Sequence, residues 1–550
     1  MKKNQMKVSE FKIKGMTCDQ CAVGIARKFK GLKGIIQKDI SYPDGSGKFE
    51  YDPDEISKQE IIDVINSTGH YSVAGEIPSG NDEVQYDLII IGGGSAAFSA
   101  AIKANDLGLS TLIVNDGLPF GGTCVNVGCV PSKNLIRAAE TVYQTNYSRF
   151  EGIQPKGADI DYGSLIQGKN KLVADLQQKK YMDVVSNFDN LKMLKGMAEF
   201  LDENTILVNG KDKYKGMKFL IATGSTTKIP DIKGLKETGY LTNVSLFDLE
   251  KQPKSMIVLG GGYIALEIAQ AYHRLGTKVT LLQRSDHVLS KQTTDIAGEL
   301  TLHLRNEGLD IHTGLRFIEV SYKDLISRVV IEENGERKVF EAEKILVSTG
   351  IKPNTEKLAV VRSGLELTEH GFVKVNDQLQ TNILNIYAAG DCINTPSYVY
   401  TAAFEGKLAV ENAFTGANKK FDYTSLPWVV FTDPQIAGAG MDENEALELG
   451  IPHEVAIVSL ENVPRSIAAN DTRGFIKLIR NSETDELLGI RVVAPEGGEL
   501  IMQASLAIKY GIKVDEIANS LYPYLTLSEG VKLAAITFNK DIKELSCCAV

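Results

Sequence analysis

The chain opens with alternating apolar and polar residues, a pattern that predicts a small separate module over residues 1–74. VSEFKIKG alternates like a strand, residues 22–29 have helical spacing, and PDGSG is typical of a hairpin turn. A second helix over residues 57–66 and a short strand near Tyr71 complete a βαββαβ order. Residues 75–84, rich in Gly, Pro, Ser and acids, are then predicted to form an exposed linker.

A second pattern occurs twice after the linker. YDLIIIGGGSAAFSAAIKA predicts a buried strand, a glycine turn and a helix, and MIVLGGGYIALEIAQAYHRLG repeats this order about 170 residues later. Both turns contain G-x-G-x-x-A, whose small residues permit a tight turn, close approach of a pyrophosphate and packing of the helix on the strand. Two dinucleotide sites are therefore predicted, on Gly92, Gly94 and Ala97 and on Gly260, Gly262 and Ala265.

The residues that follow each second strand distinguish the two sites. At 21 to 22 positions beyond the middle glycine, the first site has Asn115 and Asp116 and the second has Gln283 and Arg284. An acid at this place accepts a ribose hydroxyl, whereas an arginine suits a 2′-phosphate. We therefore expect Asp116, or Asn115 in its place, to contact the first ribose and Arg284 to select NADPH; Arg284 as a solvated surface charge is the alternative.

Six of the seven cysteines form three close pairs: Cys18/Cys21, Cys124/Cys129 and Cys547/Cys548. Such clustering indicates chemistry rather than a disulfide scaffold, while Cys392 is expected to be a buried small hydrophobe. In GGTCVNVGCVPSKNLIRAAE, Cys124 and Cys129 are predicted to lie on the first turns of one helix, where the helix start stabilises thiolate.

With these motifs, residues 85 to about 540 resemble the FAD-dependent pyridine nucleotide-disulfide oxidoreductases. The resemblance implies FAD at the first site, Cys129 against the flavin, and Cys124 as the exposed thiol that meets the substrate. It also implies that Lys133 pairs with Glu267 near the flavin, and that Tyr263 covers the nicotinamide pocket and moves when NADPH binds. Further cofactor contacts are expected from Gly122, Thr123, Lys133, Thr223, Gly224 and Asp391 to FAD and from Gly350 to NADPH.

The C-terminal segment separates this chain from relatives that reduce disulfides. Those relatives carry a His-Pro-Thr-x-x-Glu motif, whereas YLTLSEG has Tyr524 in the histidine position, and no histidine follows His453. A phenol with an ordinary pKa near 10 cannot replace imidazole as a base at neutral pH. A soft cation needs no such proton carrier, because thiolates can pass it on by ligand exchange.

Cys547 and Cys548 are adjacent in the tail and can present two sulfurs to one metal. A prenylation box is the rival interpretation, but no polybasic stretch immediately precedes it. Together, Tyr524, the tail and the redox pair resemble the members of the family that reduce Hg(II) to Hg(0), with Cys124, Cys129, Cys547 and Cys548 as metal ligands.

GMTCDQCA places Cys18 and Cys21 on a loop that leads into a helix, where two thiolates suit a soft ion in near-linear geometry. The module is similar to a heavy-metal-associated domain, although a redox or an inert role stays open. Its expected task is to capture Hg(II), received from a membrane transporter, and pass it to the tail cysteines.

The expected fold class is α/β, with two Rossmann-like domains and an α+β dimerisation domain behind a ferredoxin-like metal domain. The predicted boundaries are 1–74 for the metal domain, 75–84 linker, 85–240 and 351–425 FAD domain, 241–350 NADPH domain, 426–540 dimerisation domain and 541–550 Cys-Cys tail. The resemblance further implies a homodimer with active sites shared between subunits.

A net charge of -10 gives little support for nucleic-acid binding, and the start of the chain lacks the apolar core of a secretory signal, so we expect a cytoplasmic protein. The expected substrate is Hg(II) as thiol complexes, reduced with NADPH through FAD. Two alternatives are a flavoprotein disulfide reductase similar to dihydrolipoamide dehydrogenase, and a metal chaperone or sink without turnover.

Overall fold

The computed structural model describes residues 6–67, 69–77 and 85–544. Its first part is a four-stranded antiparallel sheet, in the order β2-β3-β1-β4, with two helices. The elements are β1 (Lys7–Lys14), α1 (Asp19–Lys28), β2 (Ile35–Ser41), β3 (Ser46–Tyr51), α2 (Lys58–Asn66) and β4 (Ser72–Ile77). Phe11, Ile25, Phe49 and Ile61 are fully buried between sheet and helices. The predicted βαββαβ order is confirmed.

Strand β4 continues three residues past the predicted end of the module at residue 74. Residues 75–77 were expected to belong to the linker because of their composition. They instead continue the ladder with β1, in which Glu10 lies opposite Ile77, and Glu76 forms an ion pair with Lys58.

The second part is a sheet in the order β7-β6-β5-β10-β9-β8, in which β7, β6, β5 and β10 are parallel. Its elements are β5 (Gln85–Ile91), α3 (Ser95–Asp106), β6 (Thr111–Asn115), α4 (Gly122–Val127), α5 (Cys129–Asn146), α6 (Tyr162–Gln177), α7 (Asp183–Val185), β7 (Leu191–Lys195), β8 (Ala198–Asp202), β9 (Thr205–Val208) and β10 (Asp212–Ile221). Residues 88–91 of β5 are all buried, as is expected of a parallel strand covered on both faces.

The third part is a second parallel sheet in the order β14-β13-β12-β18, with an antiparallel β15-β16-β17 meander beside it. The elements are β11 (Ser225–Thr227), α8 (Asn243–Leu246), β12 (Ser255–Leu259), α9 (Tyr263–Arg274), β13 (Lys278–Leu282), α10 (Thr294–Asn306), β14 (Asp310–His312), β15 (Leu315–Lys323), β16 (Ile326–Glu333), β17 (Glu336–Ala342) and β18 (Lys344–Val347).

The chain then returns to the first parallel sheet through β19 (Ile351–Pro353), α11 (Val360–Ser363), β20 (Ile386–Ala388) and α12 (Val399–Thr415). β19 pairs antiparallel with β11, and β20 pairs parallel with β10. Helix α12 packs closely on α3, because a Cβ on Gly406 would lie 2.1 Å from the Ala96 carbonyl oxygen. Sequence-distant segments therefore complete one dinucleotide fold.

The last part is an antiparallel sheet in the order β21-β22-β25-β24-β23, covered by helices. Its elements are β21 (Trp428–Val430), β22 (Gln435–Gly440), α13 (Glu443–Glu448), β23 (His453–Ser459), α14 (Pro464–Ala468), β24 (Phe475–Asn481), β25 (Leu487–Ala494), α15 (Ile501–Lys509), α16 (Val514–Asn519) and α17 (Glu529–Ile536). The predicted fold class is confirmed. None of the helices in the described part of the chain combines the length and apolar character that crossing a bilayer requires.

Candidate active site and metal-binding module

Cys124 and Cys129 lie on two successive helices, separated by one residue, rather than on a single helix. Cys124 is the third residue of α4 and Cys129 is the first residue of α5. Gly128 separates them, and a Cβ there would lie 2.8 Å from the Thr123 carbonyl oxygen. The expectation of a single helix was wrong, because this glycine breaks the helix and lets the two thiols approach each other.

The two thiols share one proton unequally. A hydrogen bond from Cys124 and the nearby Lys133 ammonium lower the pKa of Cys129 to about 7, against the opposing effect of burial. The pKa of Cys124 is raised, because its thiol donates to the Cys129 sulfur and is itself buried. As the pH rises through about 7, Cys129 therefore becomes the thiolate while Cys124 stays the thiol.

The two cysteines differ in the exposure of their side chains to solvent. Cys129 is exposed, whereas Cys124 is partly buried. The assignment of Cys124 to the substrate and Cys129 to the flavin stays a prediction.

Lys133 and Glu267 form an ion pair that joins three parts of the fold. Lys133 Nζ lies 2.5 Å from Glu267 Oε2, and the backbone N–H of Phe431 donates to Glu267 Oε1 at 2.9 Å. The ammonium also lies 4.6 Å from the centre of the Phe431 ring. The predicted contact is present, and the nearly buried Glu267 carboxylate is satisfied on both oxygens.

The first glycine turn has the form of a dinucleotide cradle. Gly92 has φ of +125°, and a Cβ there would lie 2.0 Å from the Ala222 carbonyl oxygen. Gly94 precedes α3, in which Ala97 is fully buried, and a Cβ on Gly122 would lie 2.6 Å from Gly94 Cα. Thr123 follows Gly122 in the first turn of α4. The backbone of the turn therefore lies directly against the backbone at the start of α4.

Polar groups at the ends of two neighbouring strands fit FAD. Thr223 and Gly224 follow β10, and Asp391 follows β20. The Thr223 hydroxyl oxygen is buried and has no hydrogen-bond partner among the described residues. Ser225 Oγ donates to Asp391 at 2.9 Å, and burial raises the pKa of this carboxyl group. An unsatisfied hydroxyl and a carboxylate beside a glycine turn suit the hydroxyl groups and diphosphate of FAD.

The geometry favours Asn115 over Asp116 for the first ribose. β6 ends at Asn115, and a Cβ on Gly93 would lie 2.6 Å from the Asn115 side-chain carbon Cγ. Asp116 is exposed one residue further on. The assignment of Asp116, with Asn115 as its alternative, stays a prediction.

The second glycine turn repeats this geometry. Gly260 has φ of +116°, a Cβ there would lie 2.2 Å from the Ser348 carbonyl oxygen, and Gly262 precedes α9, which buries Ala265. The Gln283 side chain packs against Gly261, and the exposed Arg284 follows. Gly350 has φ of +104° and accepts a hydrogen bond from the backbone N–H of Lys228. Arg284 is therefore accessible at the rim of this turn.

Tyr263 is the first residue of α9 and has a partner that the sequence motifs did not suggest. Gln292 Nε2 donates to its hydroxyl at 3.2 Å. Its ring stacks on Trp428 with centroids 5.7 Å apart and an interplanar angle of 11°. The one feature of the sequence that could have drawn attention to this partner is that Trp428 is its only tryptophan.

Tyr524 precedes a segment that lies along the Lys133–Glu267 pair. Leu525, Thr526 and Leu527 line a cavity of about 700 Å³ together with that pair. The Tyr524 side chain is itself 52% exposed. Cys547 and Cys548 lie outside the described residues.

In the N-terminal module, Cys18 caps α1 and Cys21 lies in its first turn, with their sulfurs 3.7 Å apart. The backbone N–H of Thr17 and the hydroxyl groups of Tyr71 and Thr17 lower the pKa of Cys21 to about 6. Within the described ranges, no group of three or more His, Cys, Asp or Glu side chains is arranged to hold a metal. The pair therefore offers two sulfur ligands, one of them mostly thiolate at pH 7, which suits a soft two-coordinate cation.

Residues 86–406 match the pyridine nucleotide-disulphide oxidoreductase model, residues 426–535 match the dimerisation domain of that family, and residues 10–70 match the heavy-metal-associated domain. A mercuric reductase from Lysinibacillus sphaericus is 40% identical over 99% of this chain and 100% of its own. One from Streptomyces lividans is 41% identical over 84% of this chain and 98% of its own. Among solved structures, the Cu(II) complex of the HOCl-induced flavoprotein disulfide reductase RclA from Escherichia coli has a TM-score of 0.74 at 26% identity, covering 83% of this chain and 100% of that one.

Proposed function

Since the chain belongs to the pyridine nucleotide-disulphide oxidoreductase family, and within it to the mercuric reductases, we propose that it reduces Hg(II), bound as thiol complexes, to Hg(0). NADPH and FAD, when bound, supply the two electrons for this reduction. The work of the protein itself is to bind the metal between sulfur atoms, to place it beside the cofactor and to control the thiol protons.

The redox pair has the protonation state that metal capture needs. Both sulfurs become ligands of Hg(II) by exchange with its thiolate ligands: Cys129 is the readier thiolate, and the Cys124 thiol passes its proton to the thiolate that leaves the metal. The Lys133 ammonium stabilises the anionic sulfur before the metal arrives. Ligand exchange of this kind needs no imidazole.

The presence of Tyr524 is the observation that supports Hg(II), rather than a disulfide, as the substrate. Where relatives that cleave disulfides have a histidine, this chain has an exposed phenol, and its sequence contains no histidine beyond His453. Disulfide exchange would leave the released thiolate without a proton donor of suitable pKa. The reduction of Hg(II) and the release of Hg(0) need no such proton donor.

Several finer assignments belong to the same proposal. Two copies of the chain form a homodimer in the cytoplasm, and Tyr524 and the Cys547/Cys548 tail serve the redox pair of the partner subunit. Cys18 and Cys21 take Hg(II) from a membrane transporter and pass it to the tail. Arg284 binds the 2′-phosphate of NADPH, and Lys133, Glu267 and Tyr263 border the cofactors.

The test compares NADPH oxidation with HgCl2 in excess thiol against oxidation with lipoamide or oxidised glutathione. We expect sustained turnover only with the mercury complex. Preference for either disulfide would favour the disulfide reductase, and stoichiometric mercury binding without turnover would favour a metal sink.

A further inference from the structure

Trp428 occupies a slot that the dimerisation domain builds for it. The indole is 9% exposed and lies on β21 opposite Gly438 of β22. A Cβ on Gly438 would lie 2.5 Å from the indole carbon Cζ2. Only a glycine at this position leaves room for the ring, so the slot and the indole belong together.

A buried cation completes the slot. Arg491 lies opposite Gly438 on β25, and its guanidinium carbon is 5.6 Å from the centre of the indole. Its Nη1 donates to the carbonyl oxygens of Ala439 at 3.2 Å and Gly440 at 3.1 Å. These hydrogen bonds hold the guanidinium in place, and its positive charge attracts the face of the neighbouring indole ring.

The fixed indole contacts Tyr263 at a position between the second glycine turn and the redox pair. Tyr263 directly follows Gly262, which precedes α9, and stands one helical turn before Glu267, the partner of Lys133. Stacking on Trp428 and the hydrogen bond from Gln292 hold the phenol there. If NADPH binds at the glycine turn as proposed, its nicotinamide meets this ring on the way to the Lys133–Glu267 pair.

We propose that Trp428 is a positioning residue that holds Tyr263 in the stacked orientation and thereby sets how tightly the second site takes NADPH. The inference rests on the proposed assignment of NADPH to that site. A ligand that must displace a stabilised ring binds more weakly by the factor that the stacking contributes. Aromatic stacking of this kind corresponds to a factor of about three to ten.

The first experiment measures the Kd of NADP+ by calorimetry on the full-length, FAD-loaded protein. Trp428→Ala should bind NADP+ about three- to tenfold more tightly, and Trp428→Phe should fall between it and the parent protein. The KM for NADPH should fall in parallel while kcat changes less than about twofold. Val429→Ala, one residue along β21 with its side chain on the other face, is the matched control and should leave Kd unchanged.

Trp428→Phe retains a ring in the slot and keeps the test valid if the alanine variant does not fold. Unchanged or weaker NADP+ binding in a folded Trp428 variant would overturn the proposal. So would a KM and kcat that change together by the same factor.

The second experiment uses the single tryptophan as its own reporter. NADP+ should change the emission of Trp428 in the parent protein by more than in Tyr263→Ala, where no phenol can leave the indole and only direct quenching remains. Equal amplitudes would refute the proposal. Neither readout involves mercury, so a protein that releases no Hg(0) but shows these effects would refute the proposed function alone.

Discussion

At the scale of single residues, each of the two cysteine pairs contains one thiol whose pKa is lowered, and the cause differs between the pairs. Cys21 is a solvent-accessible thiol whose pKa is lowered chiefly by hydrogen bonds from Thr17 and Tyr71. Cys129 is the first residue of α5, and its pKa is lowered by a hydrogen bond with the Cys124 thiol and by the Lys133 ammonium. Each pair therefore contains one sulfur that is readily deprotonated near neutral pH, and this sulfur can bind Hg(II) first.

The first prediction concerns the charges around Cys129. Its alkylation by iodoacetamide in the reduced protein should be half-maximal near pH 7 and should increase as the pH rises through that value. Lys133→Met should move this midpoint up, because a stabilising cation is lost, and Glu267→Gln should move it down, each by roughly one pH unit. Peptide mass spectrometry measures the two sites separately; shifts in the same direction would contradict the assigned charges.

The second prediction concerns Tyr71. Alkylation of Cys21 should be half-maximal near pH 6, and Tyr71→Phe should move the midpoint to higher pH, because the thiolate loses a hydrogen bond. At pH 6 the rate should fall by about two- to fivefold. Tyr42→Phe, at an exposed tyrosine of the same module, is the control, and an equal effect from both variants would show that the Tyr71 hydroxyl has no specific role.

Prediction of single residues succeeded where a sequence motif defines the backbone conformation, and it failed where side-chain packing determines which residues are in contact. The glycine turns could be inferred from the spacing of small residues, and the Lys133–Glu267 contact from the family resemblance alone. The choice between Asn115 and Asp116 depended on where β6 ends, which counting could not decide. Trp428 belongs to no motif, because its role arises from a slot made by residues on three strands.

At the scale of elements, the redox pair depends on a break between two helices. Gly128 lies between α4 and α5 in a backbone conformation with φ of -131° and ψ of -115°. The sequence pattern could not reveal this break, because GGTCVNVGCVPSK is compatible with a continuous helical turn. Likewise, β4 extends into residues whose composition is typical of a linker, because pairing with β1 outweighs their low strand propensity.

The third prediction tests this break. Gly128→Ala should place a Cβ 2.8 Å from the Thr123 carbonyl oxygen, push α4 away and lower the free energy of unfolding by about 1–3 kcal/mol. Formation of the Cys124–Cys129 disulfide on oxidation should slow as the sulfurs separate. The matched control is Gly168→Ala within α6, where a Cβ has nothing within 4 Å and should stabilise the helix by about 0.5–1 kcal/mol. Thermal unfolding and thiol titration measure both effects; a Gly128→Ala protein with parental stability and parental disulfide formation would contradict this account.

At the scale of the whole molecule, metal capture and metal reduction lie in different parts of the chain. The N-terminal module has its own buried core, and the Cys124/Cys129 pair follows β5. The alignment with the mercuric reductase from Streptomyces lividans covers 84% of this chain and 98% of that relative. The modular order was predictable from the repeated glycine turns and the Cys-x-x-Cys loop, whereas contacts between two subunits depend on an assembly that the sequence of one chain does not specify.

The fourth prediction follows from this separation. A chain that begins at Gln85 should retain FAD and reduce thiol-bound Hg(II) in dilute solution with kcat within about twofold of the full chain, because the excess thiol delivers the metal directly. The same truncation with Cys124→Ala is the inactive control. Loss of turnover despite normal folding and bound FAD would show that the N-terminal module takes part in the reduction itself.

The central claim is that thiolates without a histidine carry Hg(II) to the reducing cofactor. The most direct test measures Hg(0) vapour together with NADPH oxidation, in excess thiol, with the full-length protein. The account predicts mole-for-mole release of Hg(0) and negligible activity with lipoamide. Rapid lipoamide reduction without any mercury vapour would contradict it.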